Sequence, residues 1–336
     1  MVEGIEIERV TGWMRLHMPE LSPPLTFTRI AGGHSNLTYL CRDRTGARYV
    51  LRRPPLGLVL ATAHDMARES RIVSALANSK VPVARVHALC EDVQVTGAPF
   101  YVMSFVDGAV LHGPNEARSV PEHQRASISE HVIDVLVDLH TTDIDAVGLG
   151  GLARKDAYID RQLKRWTAQW EGSKTHDVPE MEEAGRLLRE NVPRQEGATI
   201  VHGDYRLKNM LLLGGRVSAL VDWELCTLGD PLADVGYLLN SWAEPGDATG
   251  AQQVTGVGGF LTRSAMCERY EALSGRSLKG IRYYRAFSHW RTAAINQGVY
   301  KRYREGAMGS QQTDDLEIKK QNVAGQAQAA LALLVT

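Results

Sequence analysis

Residues 200–224 read IVHGDYRLKNMLLLGGRVSALVDWE. Two apolar runs each lead into an aspartate, Asp204 and Asp222, with Asn209 between them. Read as strands, ATIVHGD, NMLLL and VSALVDWE predict a small three-stranded sheet with both aspartates at its mouth. Such a trio suits phosphoryl transfer, in which a protein positions groups and neutralises charge more than it forms covalent bonds. One carboxylate is needed to orient an attacking hydroxyl and accept its proton, and hard oxygen atoms are needed to hold Mg²⁺ against nucleotide phosphates. Asp204 has the place of the base, and Asn209 and Asp222 offer the metal-binding oxygens.

Around this stretch the composition is that of an ordinary globular protein. The 336 residues are 44% hydrophobic and 23% charged, with a formal net charge of -1, which speaks against a polyanion such as nucleic acid as partner. No run reaches the roughly 18 apolar residues of a membrane span, and MVEGIEIERV is acidic where a signal peptide is basic. A cytoplasmic protein with no membrane partner is expected. The four cysteines, Cys41, Cys90, Cys226 and Cys267, lie far apart without CxxC spacing and read as reduced, buried thiols.

Before the quoted stretch, the first hundred residues read as strand-rich. FTRIAGG, LTYLCRD and ARYVLRR form a meander, and HDMARESRIVSALA is a helix whose apolar face includes Glu69. APFYVMSFVDG is a strand that breaks at Asp107 and Gly108. Beyond it the pattern turns helical: Ile128, Val132, Val135 and Leu139 mark one face, Ile159, Leu163, Trp166 and Trp170 another. A long helix follows from about 280 to 304, and QNVAGQAQAALALL closes the chain.

His202-Gly203-Asp204, Asn209, Asp222-Trp223-Glu224 and the run GDPLAD ending at Asp234 together resemble the core signature of the aminoglycoside phosphotransferase-like family. Within it, GGHSNLTY, YVLRRPP, HGDYRLKNML and DWELCTLGDPLADVGYLL are most similar to the kinase-like domains attached to some acyl-CoA dehydrogenases. The resemblance implies an α+β, bilobal, protein-kinase-like fold, with a small β-rich lobe over 1–106 that binds nucleotide and a larger, mainly helical catalytic lobe over 107–336. It implies ATP and Mg²⁺ as cofactors and a small-molecule hydroxyl as acceptor. Arg52 falls where the family carries a phosphate-binding lysine, and Glu69 is its natural partner. An arginine keeps the charge but is bulkier and forked. Gly33, Ser35 and Asn36 would cover the phosphates; Ser104 and Val106 would meet adenine through their backbone, with Met103 lining the pocket. Arg206 takes the position of a cation near the transferred phosphate. His202, Asp230 and Asp234 would brace the catalytic loop.

The acceptor is the least legible part. RYYRAFSHWRTAAINQGVYKRY carries Arg282, Arg285, His289, Arg291, Lys301 and Arg302, a positive surplus that favours a neutral or anionic acceptor over a polycationic one. The resemblance to domains attached to acyl-CoA dehydrogenases implies a hydroxyacyl compound as one candidate, and Trp290, Arg291 and Tyr300 are the candidate lining residues. Two other readings stay open: a nucleotide-binding regulatory module without catalysis, motivated by Arg52, and an aminoglycoside-modifying kinase.

Overall fold

The β-prone runs of the N-terminal region pair into one antiparallel sheet. The structure, a computed structural model, describes residues 2–30, 36–56, 65–195, 197–247, 252–306 and 316–335. In chain order its elements are α1 (Ile7–His17), β1 (Thr26–Arg29), β2 (Leu37–Arg42), β3 (Arg48–Arg53), α2 (Met66–Leu76), β4 (Val86–Cys90), β5 (Phe100–Ser104), α3 (Pro114–Ser119), α4 (Glu122–Thr141), α5 (Tyr158–Ser173), α6 (Pro179–Glu190), β6 (Thr199–Val201), β7 (Met210–Leu213), β8 (Arg216–Leu220), β9 (Thr227–Gly229), α7 (Leu232–Asn240), α8 (Arg263–Ser274), α9 (Ile281–Arg304) and α10 (Leu316–Val335). They fall into two compact units: Met1–Val110 with Ile144–Leu149 and Asn209–Cys226, and Leu111–Asp143 with Gly150–Lys208 and Thr227–Thr336. The boundary drawn from sequence follows Val106; the first unit runs to Val110 and takes in two later segments.

In the first unit the strand order is β1-β2-β3-β5-β4. Alternation along each strand decides which side chain meets which layer. Tyr39, Cys41, Leu51, Phe100 and Val102 belong to one apolar cluster with Val10 and Met14 of α1. The strand-rich reading of this region missed α1, whose apolar face is short. Arg53 sits on β3 among these residues and donates to the carbonyls of Gly4 and Thr96, fastening the N-terminal segment. Arg52, the neighbouring residue, points the other way, and α2 contributes Glu69 among its buried residues. Asp65 caps α2 by accepting from the Arg68 N–H at 2.9 Å, an arrangement that satisfies an otherwise orphaned donor.

The expected three-stranded sheet of residues 199–222 is corrected by the structure. β7 pairs with β8, whereas β6 pairs with β9 and belongs to the second unit. The reason is local: Gly214 and Gly215, at φ 58° and 78°, form a two-residue turn that folds β7 directly onto β8. Thr199–Val201 then finds its ladder in Thr227–Gly229.

The second unit is a helical assembly. The face of α4 predicted from spacing is buried, as are Ile159, Leu163, Trp166 and Trp170 of α5. α9 runs against α5, α6, α7 and α10, burying Ala286, Phe287, Trp290, Ala293 and Ala294. Among the described residues, no helix is long and apolar enough to cross a membrane.

Candidate active site: two charged clusters

The first cluster grows from strand register. Arg52 on β3 lies opposite Tyr101 on β5, so their polar ends leave the same face of the sheet. Arg52 Nε is 2.9 Å from Glu69 Oε1, and Arg52 Nη2 donates to Asp222 Oδ1 at 2.6 Å. The Tyr101 hydroxyl donates to Glu69 Oε1 at 3.1 Å. Glu69 is only 3% exposed. Burial pushes its carboxyl above the ordinary value, with Arg52 pulling it back and Asp222 pushing it further up. A guanidinium does not release its proton. Burial works to lower the Arg52 value as well, but Glu69, Tyr101 and Asp222 outweigh it and the net shift is upward.

Asp222 reaches this cluster from the hairpin. Met210 pairs with Leu220, and the Val221 N–H donates to the Asn209 carbonyl at 3.0 Å. Asn209 and Asp222 therefore stand at neighbouring strand ends, away from the Gly-Gly turn. Asp222 adopts φ 70°, a conformation that costs a non-glycine residue about 1 kcal/mol or more. One carboxylate and one carboxamide are hard donors suited to Mg²⁺, which takes few protein ligands and keeps water and phosphate oxygens. Among the described residues, no group of three or more His, Cys, Asp or Glu is gathered so that it could hold a metal ion.

Of the remaining nucleotide-site residues, Asn36 is buried just before β2. Gly33 and Ser35 lie outside the described residues. Met103 pairs with Val50. The Ser104 N–H donates to the Arg85 carbonyl at 2.8 Å, and the Phe105 N–H donates to Arg48 at 3.3 Å, one residue before Val106. The Ser104 hydroxyl shares a hydrogen bond of 2.8 Å with His87 Nε2.

The second cluster surrounds the loop after β6. Asp234, on α7, accepts from the His202 N–H at 2.6 Å and from the Gly203 N–H at 2.8 Å. Gly203 has φ 84°, a left-handed turn open to glycine at little cost. His140 of α4 bridges Tyr270 of α8 (2.9 Å) and Asp234 (3.5 Å). Although burial raises the Asp234 carboxyl, His140, His202 and the Gly203 N–H hold it below its usual value. Asp230 accepts from the Tyr284 hydroxyl at 2.7 Å and from the Leu232 N–H at 3.0 Å. Asp204 itself is 9% exposed, and Arg206 Nη2 donates to its Oδ2 at 3.0 Å.

The basic helix does not form one positive surface. Arg285 donates to Asn240, His289 bonds Gln326, and Lys301 donates to the Gly172 carbonyl. Trp290 is buried and donates to the Met181 carbonyl at 3.0 Å; Tyr300 meets His176 edge-on at 5.6 Å; Arg291 turns to the Gly203 carbonyl. The three residues expected to line an acceptor pocket thus have separate neighbours. A groove of about 620 Å³ beside α5 and α6 contains Trp290, but neither Arg291 nor Tyr300, of the three residues expected to line an acceptor pocket. Tyr101, His140 and Tyr237 were missed, although Tyr237 stands three positions after Asp234 on the same helix and that spacing was available to find it.

Residues 26–268 match the family model described as "Phosphotransferase enzyme family". The chain belongs to this family. Mouse acyl-CoA dehydrogenase family member 10 is 37% identical over 85% of the chain and 27% of its own length. Human acyl-CoA dehydrogenase family member 11 is 30% identical over 87% of the chain and 38% of its own length. The chain therefore spans well under half the length of these relatives. A crystal structure of a candidate aminoglycoside phosphotransferase from Ralstonia eutropha superposes with a TM-score of 0.81 at 33% identity, covering 97% of both chains. A thermostable variant of aminoglycoside phosphotransferase APH(4)-Ia, bound to ADP and hygromycin B, shares the fold at TM-score 0.62 and 16% identity, covering 95% of this chain and 98% of its own. The family fold is the α+β, protein-kinase-like one expected from sequence, and the chain is a phosphotransferase by family.

Proposed function

We propose that the chain transfers the γ-phosphoryl group of ATP to a hydroxyl of a small molecule. In this reading Asp204 orients the acceptor hydroxyl and takes up its proton as the new P–O bond forms, and Arg206 offsets charge on the transferred group. Arg52, steadied by Glu69, holds the nucleotide phosphates. Asn209 and Asp222 would hold Mg²⁺, which when bound supplies charge neutralisation for the phosphates. His202, Asp230 and Asp234 keep the loop of Asp204 in one conformation. The nucleotide base would meet Ser104, Val106 and Met103, under the segment of Gly33, Ser35 and Asn36.

The observation that carries this reading is the β7–β8 hairpin, which brings Asp222 onto the buried Arg52–Glu69 pair and leaves Asn209 at the neighbouring strand end. For the acceptor, the kinship with long acyl-CoA dehydrogenase chains favours a hydroxyl on an acyl compound over a polycationic sugar. The dispersed basic residues of α9 lend no support to an anionic acceptor. A regulatory nucleotide binder is the second reading, favoured by the way Arg52 is engaged by two carboxylates.

The test is phosphoryl transfer from Mg-ATP to pooled hydroxylated metabolites, followed by ³¹P NMR, with Asp204→Asn as the paired variant. Transfer that falls about 10²- to 10⁴-fold in the variant is expected. Nucleotide binding without transfer in either protein would favour the regulatory reading.

A further inference from the structure

Arg291 is the most unusual charge in the second unit. Its side chain belongs to α9 and is 5% exposed. Nη2 donates to the Gly203 carbonyl at 2.6 Å, and the guanidinium carbon lies 4.8 Å from the centre of the Tyr237 ring. Nε is buried without a hydrogen-bond partner. Both of these partners, a carbonyl and a ring, are uncharged. A buried guanidinium met by neutral groups opposes folding, and a carbonyl can be satisfied by a neutral donor. Stability alone gives no reason for arginine here.

Its position does give one. The Gly203 N–H is held by Asp234 from α7, and the Gly203 carbonyl by Arg291 from α9. The left-handed residue immediately before Asp204 is thus gripped at both ends. Tyr237, whose ring lies under the guanidinium, is close enough to Asp204 for the carboxylate to raise its hydroxyl pKa, although burial is the larger cause.

We propose that Arg291 is a positioning residue: it fixes the Gly203 carbonyl and the Tyr237 ring so that the Asp204 carboxylate keeps one direction, and it does so at a cost in stability. The inference rests on Asp204 being the base. It replaces the expectation that Arg291 binds the acceptor, since a side chain closed against a carbonyl and a ring is not offered to a ligand.

The experiment compares wild type, Asp204→Asn, Arg291→Met and Arg291→Lys in the full chain, using Mg-ATP as the probe and water as the phosphoryl acceptor. Three quantities are read: phosphate release, affinity for a fluorescent ATP analogue, and melting temperature. Arg291→Met is expected to melt at or above wild type and to bind nucleotide within about twofold of it. Its kcat should fall by about 10- to 100-fold, the scale of a misplaced catalytic group. Arg291→Lys should lose less, and millimolar guanidinium should restore part of the Arg291→Met rate. Unchanged kcat in Arg291→Met, while Asp204→Asn is inactive, overturns the positioning role alone. A lower melting temperature with no guanidinium rescue also overturns it, because the residue would then be structural. Turnover that is absent, or equal in wild type and Asp204→Asn, removes the base assignment and the inference with it.

Discussion

In the first unit two carboxylates, Glu69 and Asp222, share the guanidinium of Arg52; in the second, Asp230 and Asp234 are met mainly by backbone N–H groups, a hydroxyl and a histidine, while Arg291 has a carbonyl and a ring. The contrast follows the work proposed for each. Phosphates and a metal arrive with their own large charges, so ion pairs can exchange partners with them. A loop that must hold one shape is better served by fixed dipoles, which need little reorganisation.

The largest effect that can break this comparison is Asp234→Asn. An amide cannot accept from both backbone N–H groups as the carboxylate does, and a buried donor left unmatched costs about 1–3 kcal/mol. We expect a loss of about 2–3 kcal/mol in denaturant unfolding, with the change in hydrogen exchange concentrated at residues 202–204. A uniform rise in exchange across both units would mean that Asp234 is a general core residue.

Glu69→Gln should act less on stability, because Arg52 keeps Asp222 as a partner. Burial already disfavours the charged form of Glu69, so the expected result is little change in unfolding free energy together with weaker nucleotide binding, read by calorimetry. An unaltered dissociation constant would remove the pair from the nucleotide site.

The smallest effect is the response to acid, and it differs in sign between the clusters. His140 titrates below its ordinary 6.5 because it is buried, despite Asp234. The unfolded chain therefore takes up this proton first, and stability falls as pH drops through about 6.5. Asp234, held below its usual value, adds stability above 3.8 that is lost as pH falls through its lowered value. Glu69 is shifted upward, so its protonation favours the folded first unit as pH falls. Hydrogen exchange at pH 7 and pH 5 should show the second unit loosening first; the reverse order would contradict these assignments.

Much of this was legible in the sequence wherever a local pattern carried it. The faces of α4 and α5 follow from apolar spacing, and Arg52 and Glu69 from strand alternation and an interrupted apolar stripe. The pairing of β6 with β9 was not legible, because three apolar residues specify no partner and β9 adds little local signal. Nor was the fate of the α9 charges. Charge is counted along a sequence, but Arg285, Arg291 and Lys301 are each directed by a different neighbouring element. Tyr101 required the register of β5 on β3, a property of pairing rather than of either strand.

The most direct test of a division between holding nucleotide and driving transfer is to measure Mg-ATP affinity and turnover together in Asp222→Asn and Asp204→Asn. Asp222→Asn is expected to lose the Mg²⁺-dependent part of nucleotide affinity, whereas Asp204→Asn should bind Mg-ATP like wild type and turn it over at least about 10²-fold more slowly. Equal weakening of binding in both variants, or undiminished turnover in Asp204→Asn, would contradict that division.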